Sequence, residues 1–148
     1  MKKLIMIAAV IAIACATVTA QSERQKAKIL VEIEQVINAQ VAAWNNGDID
    51  GFMEGYWKSD DMTFVSGNSV SKGWQAALDR YKRSYDTREK MGELLFSDTV
   101  VTVLNKNNAF VLGRFTLKRI ADEPTGLFTL VFRRTKEGWK IIHDHTST

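Results

Sequence analysis

At Gly92 the chain changes its apolar period. Before it, large apolar residues recur every three or four positions; after it they fall close to alternate positions. That switch points to a mainly helical first part and a long-stranded sheet after it. The β half predicts strands at 92–104, 109–119, 126–135 and 138–146, with Lys106-Asn107-Asn108 and Thr135-Lys136-Glu137-Gly138 as turns. Asp122-Glu123-Pro124-Thr125-Gly126 is a looser connection. These strands are long, and several are apolar on both faces. Phe110 and Leu112 oppose Val111, Phe115 and Leu117; Phe128, Leu130 and Phe132 oppose Leu127 and Val131. A sheet with one wet face alternates cleanly, so here both faces need cover. Helices supply one cover, and a second copy of the chain is the economical source of the other.

The helical half is punctuated by its own signals. Ser22-Glu23-Arg24-Gln25 reads as a capping box. Ile29, Ile33, Val36, Ile37, Val41 and Trp44 follow at helical spacing, and Asn45-Asn46-Gly47 stops the helix. Asp48 is a good N-cap for a short second helix carrying Phe52, Tyr56 and Trp57. Met62-Thr63-Phe64-Val65 and Ser69-Val70-Ser71 flank a hairpin turn at Ser66-Gly67-Asn68. A third helix begins near Gly73, with Trp74, Leu78, Tyr81 and Tyr85 as an aromatic stripe; Arg80, Lys82 and Arg83 fall on its other, solvated face.

Residues 1–20 read as an export signal: basic Lys2-Lys3, apolar Leu4 to Ala16, and the small-residue site Val18-Thr19-Ala20. The apolar run is short of the roughly 20 residues a membrane span needs. Ala12-Ile13-Ala14-Cys15 faintly resembles a lipoprotein box, which makes a lipid anchor at Cys15 a minor alternative. The expected organisation is therefore a signal peptide over 1–20 and one domain over 21–148, exported to a periplasm or the medium, with no membrane association after cleavage. The signal holds two of the 20 basic residues, leaving 18 against 17 acidic ones. A near-neutral domain offers no electrostatic case for nucleic acid. Cys15 is the only cysteine, so the exported domain has no disulfide and rests on packing.

Both histidines of the chain lie near its end, in Gly138-Trp139-Lys140-Ile141-Ile142-His143-Asp144-His145-Thr146-Ser147. Strand alternation puts His143 and His145 on one side and Asp144 on the other. Two histidines on one strand face have the geometry of metal ligands, but no further histidine or cysteine exists to complete a set in the mature chain, so no metal or other cofactor is expected. Nucleophile elbows and phosphate loops are also missing from the sequence.

The order of elements, together with Ala42-Ala43-Trp44-Asn45-Asn46-Gly47-Asp48, Gly113-Arg114, Gly126 to Arg134 and the terminal strand, resembles the nuclear transport factor 2-like (cystatin-like cone) superfamily. The terminal motif is similar to its SnoaL-like branch, related to the association domain of calcium/calmodulin-dependent protein kinase II. The resemblance covers about residues 25–147. It implies an α+β cone, with three N-terminal helices over the concave face of a strongly bent antiparallel sheet and a pocket between them. Members include isomerases, dehydratases, cyclases and assembly domains, so the fold alone does not choose among them.

Carried over by position, the resemblance turns Ile142, Asp144 and Thr146 into the pocket and His143, His145, Trp139 and Ile141 to the convex side, where the histidines meet a subunit interface. Arg114 resembles a pocket arginine, Thr129 stands where a second one would be, Tyr81 matches a pocket histidine, and Phe52 a pocket aromatic. The expected pocket is Phe52, Tyr56, Trp74 and Tyr81 from the helices with Arg114, Thr129, Asp144 and Thr146 from the sheet. Arg114 reads either as a fork for an acidic ligand or as a structural partner of Asp144. Asp144 reads as that partner or as a general acid or base, with Tyr56, His143 and His145 as other proton-handling candidates. Three functions stay open: binding of a small apolar or acidic molecule, cofactor-free acid/base catalysis, and ligand-free dimeric assembly.

Overall fold

Helix α1, Lys2–Asn45, lies along one side of a six-stranded sheet and buries a single stripe there: Ile29, Ile33, Ile37 and Trp44. The structure is a computed structural model that describes the backbone of residues 2–147 and the side chains of 21–147. The side chains of the expected export segment therefore lie outside the described residues. The backbone is helical straight through Ser22, so the capping box there starts no new helix. Among the described residues, no helix is long and apolar enough to cross a membrane.

The other elements follow the sequence signals closely. Asp48 caps α2, Ile49–Met53, by accepting from the Gly51 amide at 2.7 Å. This helix is shorter than expected: Tyr56 and Trp57 lie beyond it, and Tyr56 bridges to Ile141. Strands β1, Thr63–Ser66, and β2, Ser69–Lys72, form the hairpin. Helix α3 spans Trp74–Ser84, and a one-turn helix α4, Arg88–Met91, precedes the sheet. Then come β3 (Glu93–Asn105), β4 (Asn108–Lys118), β5 (Thr125–Thr135) and β6 (Gly138–Ser147).

The sheet order is β2-β1-β6-β5-β4-β3. The four long strands form an antiparallel meander, while β1 joins β6 in parallel. Of three irregularities in its ladders, two bear on the site, and the third lies between Val103 and Asn105. Of the two, one lies between Ser97 and Val100, where Asp98 takes φ 52°; the other places Ile142 as an extra residue opposite the Val131–Phe132 step. Bulges of this kind kink a strand and increase local twist. The sheet thereby curls around the helices, with Val111, Phe128, Leu130, Phe132 and Ile141 buried on its concave face. Each such side chain contributes about 1.5–3 kcal/mol on burial.

The helices are tied to the sheet edge by Asn45. Its side chain accepts from the Leu94 amide at 2.7 Å and donates to the Leu94 carbonyl at 3.1 Å. Arg88 donates to the carbonyls of Trp44 and Asn45, which α1 leaves without intrahelical partners at its C-terminus.

Candidate functional site

Asp144 is 3 % exposed, on the concave side near the end of β6. Its inward aim depends on the extra residue at Ile142. Without it, alternation from buried Trp139 and Ile141 would send His143 and His145 inward and Asp144 outward. With it, Trp139, Ile141 and Asp144 are all buried on one side. The expected grouping is thus corrected: Trp139 and Ile141 are core residues, and Ile142 is the bulge residue and not a pocket one.

Tyr56 is held above this strand by backbone bonds on both sides of it. The Ile141 amide donates to the Gly55 carbonyl and the Trp57 amide donates to the Ile141 carbonyl, each at 2.9 Å. The Tyr56 hydroxyl then donates to Asp144 Oδ2 at 2.7 Å, and Thr146 Oγ1 donates to Oδ1 at 2.9 Å. Burial lifts the Asp144 carboxyl from 3.8 to about 6, against the pull of those two hydroxyls and of the His145 charge. Burial, reinforced by the Asp144 charge, also pushes the Tyr56 and Tyr81 phenols well above their usual value. At neutral pH the group is therefore a carboxylate of unusual basicity faced by neutral phenols.

A cavity of about 300 Å³ opens over this pair. Its helix-side wall is aromatic. Tyr81 of α3 packs against Phe52 at 5.2 Å between ring centres and against Phe64 at 5.3 Å, and Trp44 meets Phe52 at 5.2 Å and Tyr85 at 4.8 Å. The sheet wall is Phe96, Phe115, Leu117, Phe128 and Leu130. Gly113 shapes it, because the Phe128 ring lies against β4 where any Cβ on residue 113 would stand. Gln40 closes the inner end, its amide held by the Phe52 carbonyl at 3.1 Å. Arg80, Ser84, Arg119 and Ser66 also line the cavity.

Five of the expected pocket residues meet here: Phe52, Tyr56, Tyr81, Asp144 and Thr146. Three do not. Arg114 stands on the convex face, its side chain 44 % exposed and 3.6 Å from Asp98, so it is neither a pocket fork nor the partner of Asp144. Gly113, Phe115 and Leu117 face inward in its place. Thr129 is convex too, paired in register with Leu112 and His145. Trp74 packs outside the cavity and donates to the Met53 carbonyl at 3.0 Å. The histidines lie away from the cavity: His143 Nδ1 is 2.6 Å from Thr63 Oγ1, and His145 is exposed. Among the described residues, no group of three or more metal-ligating side chains comes together.

Sequence reasoning missed Gln40, Arg80 and Arg119. Arg80 belongs to a second line on α3, Ala77-Arg80-Ser84, in which Ala77 is fully buried. A small residue at helical spacing from a charge was the available signal. Arg119 lies just beyond β4, and nothing in the local pattern marks it.

Comparison with known proteins agrees with this architecture. Residues 33–148 match the SnoaL-like domain. An NTF-2 like protein of unknown function from Shewanella oneidensis MR-1 is 38 % identical, with TM-score 0.77, over 80 % of this chain and 98 % of that one. A nuclear transport factor 2-like superfamily protein from Salmonella enterica serovar Typhimurium is 20 % identical, with TM-score 0.66, over 82 % and 92 %. A putative calcium/calmodulin dependent protein kinase II association domain from Xanthomonas campestris is 17 % identical, with TM-score 0.62, over 79 % and 85 %. No protein of curated function matches the chain.

Proposed function

The chain belongs to the SnoaL-like domain family, and from that premise we propose that its cone binds one small, largely apolar molecule beside the Asp144–Tyr56 pair. The observation that carries this reading is the cavity itself, about 300 Å³ and walled by aromatics around one hydrogen-bonded carboxyl. Pockets that hold small ligands are of this kind: mostly apolar, with a few fixed polar groups. A domain serving assembly alone has no need of such space. The test is a titration with phenol, indole and 2-naphthol as probes, followed by amide chemical shifts. Shifts clustered on α3 and the end of β6 are expected. Absence of saturable binding of all three at millimolar concentration would sink the proposal.

A second reading, cofactor-free acid/base catalysis, is favoured by the particular state of Asp144. It is free of Arg114, it sits in the cavity, and its carboxyl titrates near 6, close to the range that suits a general base. Tyr81 supplies a neutral donor toward a developing enolate, while the Tyr56 proton is engaged by Asp144. Deuterium exchange into 2-tetralone in heavy water measures this proton transfer. The rate should rise to a plateau above about pH 6 and vanish in Asp144→Asn. Tyr56→Phe, which removes a hydrogen bond to the carboxylate, should move the midpoint upward. A rate unchanged in Asp144→Asn would leave only the binding reading.

The same proposal includes export and pairing. Residues 1–20 are read as a signal removed before Gln21, and N-terminal sequencing of the exported protein checks it. The convex sheet face exposes Val100, Leu104, Leu112 and Leu127, each between 45 % and 58 % exposed, which supports a homodimer through that face.

A further inference from the structure

We infer that the cavity is specific for apolar monoanions, with Arg80 gripping a ligand carboxylate. This deepens the small-molecule reading and rests on it. Arg80 lines the cavity, half-buried, with its guanidinium lying 5.0 Å over the Phe64 ring. Among the described residues it has no carboxylate within ion-pair distance and no hydrogen bond, unlike most of its neighbours. Lys82 pairs with Asp50, Lys90 with Asp86, and Arg119 with Asp122 at 2.7 Å while also donating to the Lys90 carbonyl. The cavity thus holds two guanidiniums, one neutralised by a carboxylate and one not.

Asp144 and Arg80 line one cavity, and among the described residues they form no ion pair with each other. Arg80 acts on Tyr81 and, with Arg119, on Tyr85, pulling both phenols partly back from the rise that burial causes. A ligand in the cavity therefore meets a hydrogen-bonded carboxyl and an uncompensated cation within aromatic walls. One unpaired guanidinium matches one carboxylate, whose planar fork takes two parallel hydrogen bonds. The Ser84 and Ser66 hydroxyls line the same cavity as further donors. Asp144, ionised at neutral pH, repels a second negative charge beside it, which restricts the ligand to monoanions with a neutral apolar body.

The test is calorimetric titration of phenylpropanoate and phenylbutanoate, each against its primary amide, at pH 7.5 and low salt. The acid should bind about tenfold tighter than the amide, as a charge-assisted pair requires. Arg80→Gln should erase that preference and leave amide affinity unchanged, which also shows that the cavity is intact. Arg80→Met, which keeps an unbranched apolar stem on Phe64, should do the same. Arg114→Gln, on the opposite face of the sheet, should keep the full preference. Equal affinity of acid and amide for the unmodified protein overturns the inference while leaving the cavity reading in place. A preference that survives both Arg80 substitutions overturns it equally. If neither acid nor amide binds, the cavity reading falls and this one with it.

Discussion

Asp144 links the cavity to stability through pH. Its folded value of about 6 lies above the ordinary 3.8. Below pH 3.8 both folded and unfolded chains hold the proton. Between the two values the unfolded chain releases it first, so the unfolded state binds fewer protons and stability falls as pH rises. Above about 6 the loss is complete. At roughly 1.36 kcal/mol per unit, keeping this carboxylate buried costs on the order of 3 kcal/mol at neutral pH. Asp144→Asn should therefore be the more stable protein at pH 7.5 by about that amount, with the difference closing toward pH 4. Urea unfolding of both proteins at the two pH values measures it; a gap that does not change with pH would show the carboxyl is not raised. The residue itself was legible in the sequence, as were Phe52, Tyr56, Tyr81 and Thr146. Arg114 was not, because β4 is apolar on both faces and Gly113 has no side chain to declare which side is inner. Only the Phe128 ring against Gly113 decides that parity.

At the scale of elements, the boundaries of β4, β5 and β6 fell within a residue or two of expectation, since turn residues and apolar runs are local signals. The extra residue at Ile142 is not a local signal. It arises because β6 must pair with β5 while presenting Trp139 and Ile141 to α1 and Asp144 to the cavity. Asn45 is a second such case. In sequence it reads as a helix stop, whereas in the fold its amide group continues the hydrogen bonding of the β3 edge. Asn45→Ala should cost about 1–3 kcal/mol, the penalty for leaving such groups without partners. The Leu94 amide should also exchange faster with solvent. Unchanged stability in thermal unfolding would show that water replaces both bonds.

For the whole molecule, the long strands required cover on both sides, and the helices cover one. The convex face keeps Leu112 and Leu127 exposed beside Thr129, His145 and the Arg114–Asp98 pair. That pair is solvent-exposed and contributes little by itself. The proposed homodimer predicts that Leu112→Asp combined with Leu127→Asp gives a folded monomer by light scattering at micromolar concentration, with cavity binding retained. A monomeric unmodified protein under the same conditions would remove the proposal.

The sequence by itself determined the class and the order of the main elements, because helical spacing, the hairpin turn at Ser66-Gly67-Asn68 and the alternation after Gly92 are all local signals. It also determined that an acidic residue and two histidines take opposite sides of the last strand. Alternation alone does not say which side is the inside; the tertiary structure decided it. Inside and outside are properties of the curved sheet, set by where its bulges fall and by which glycine lets a ring cross a strand. For the same reason the unpaired cation that lines the cavity is Arg80 on a helix and not Arg114 on the sheet.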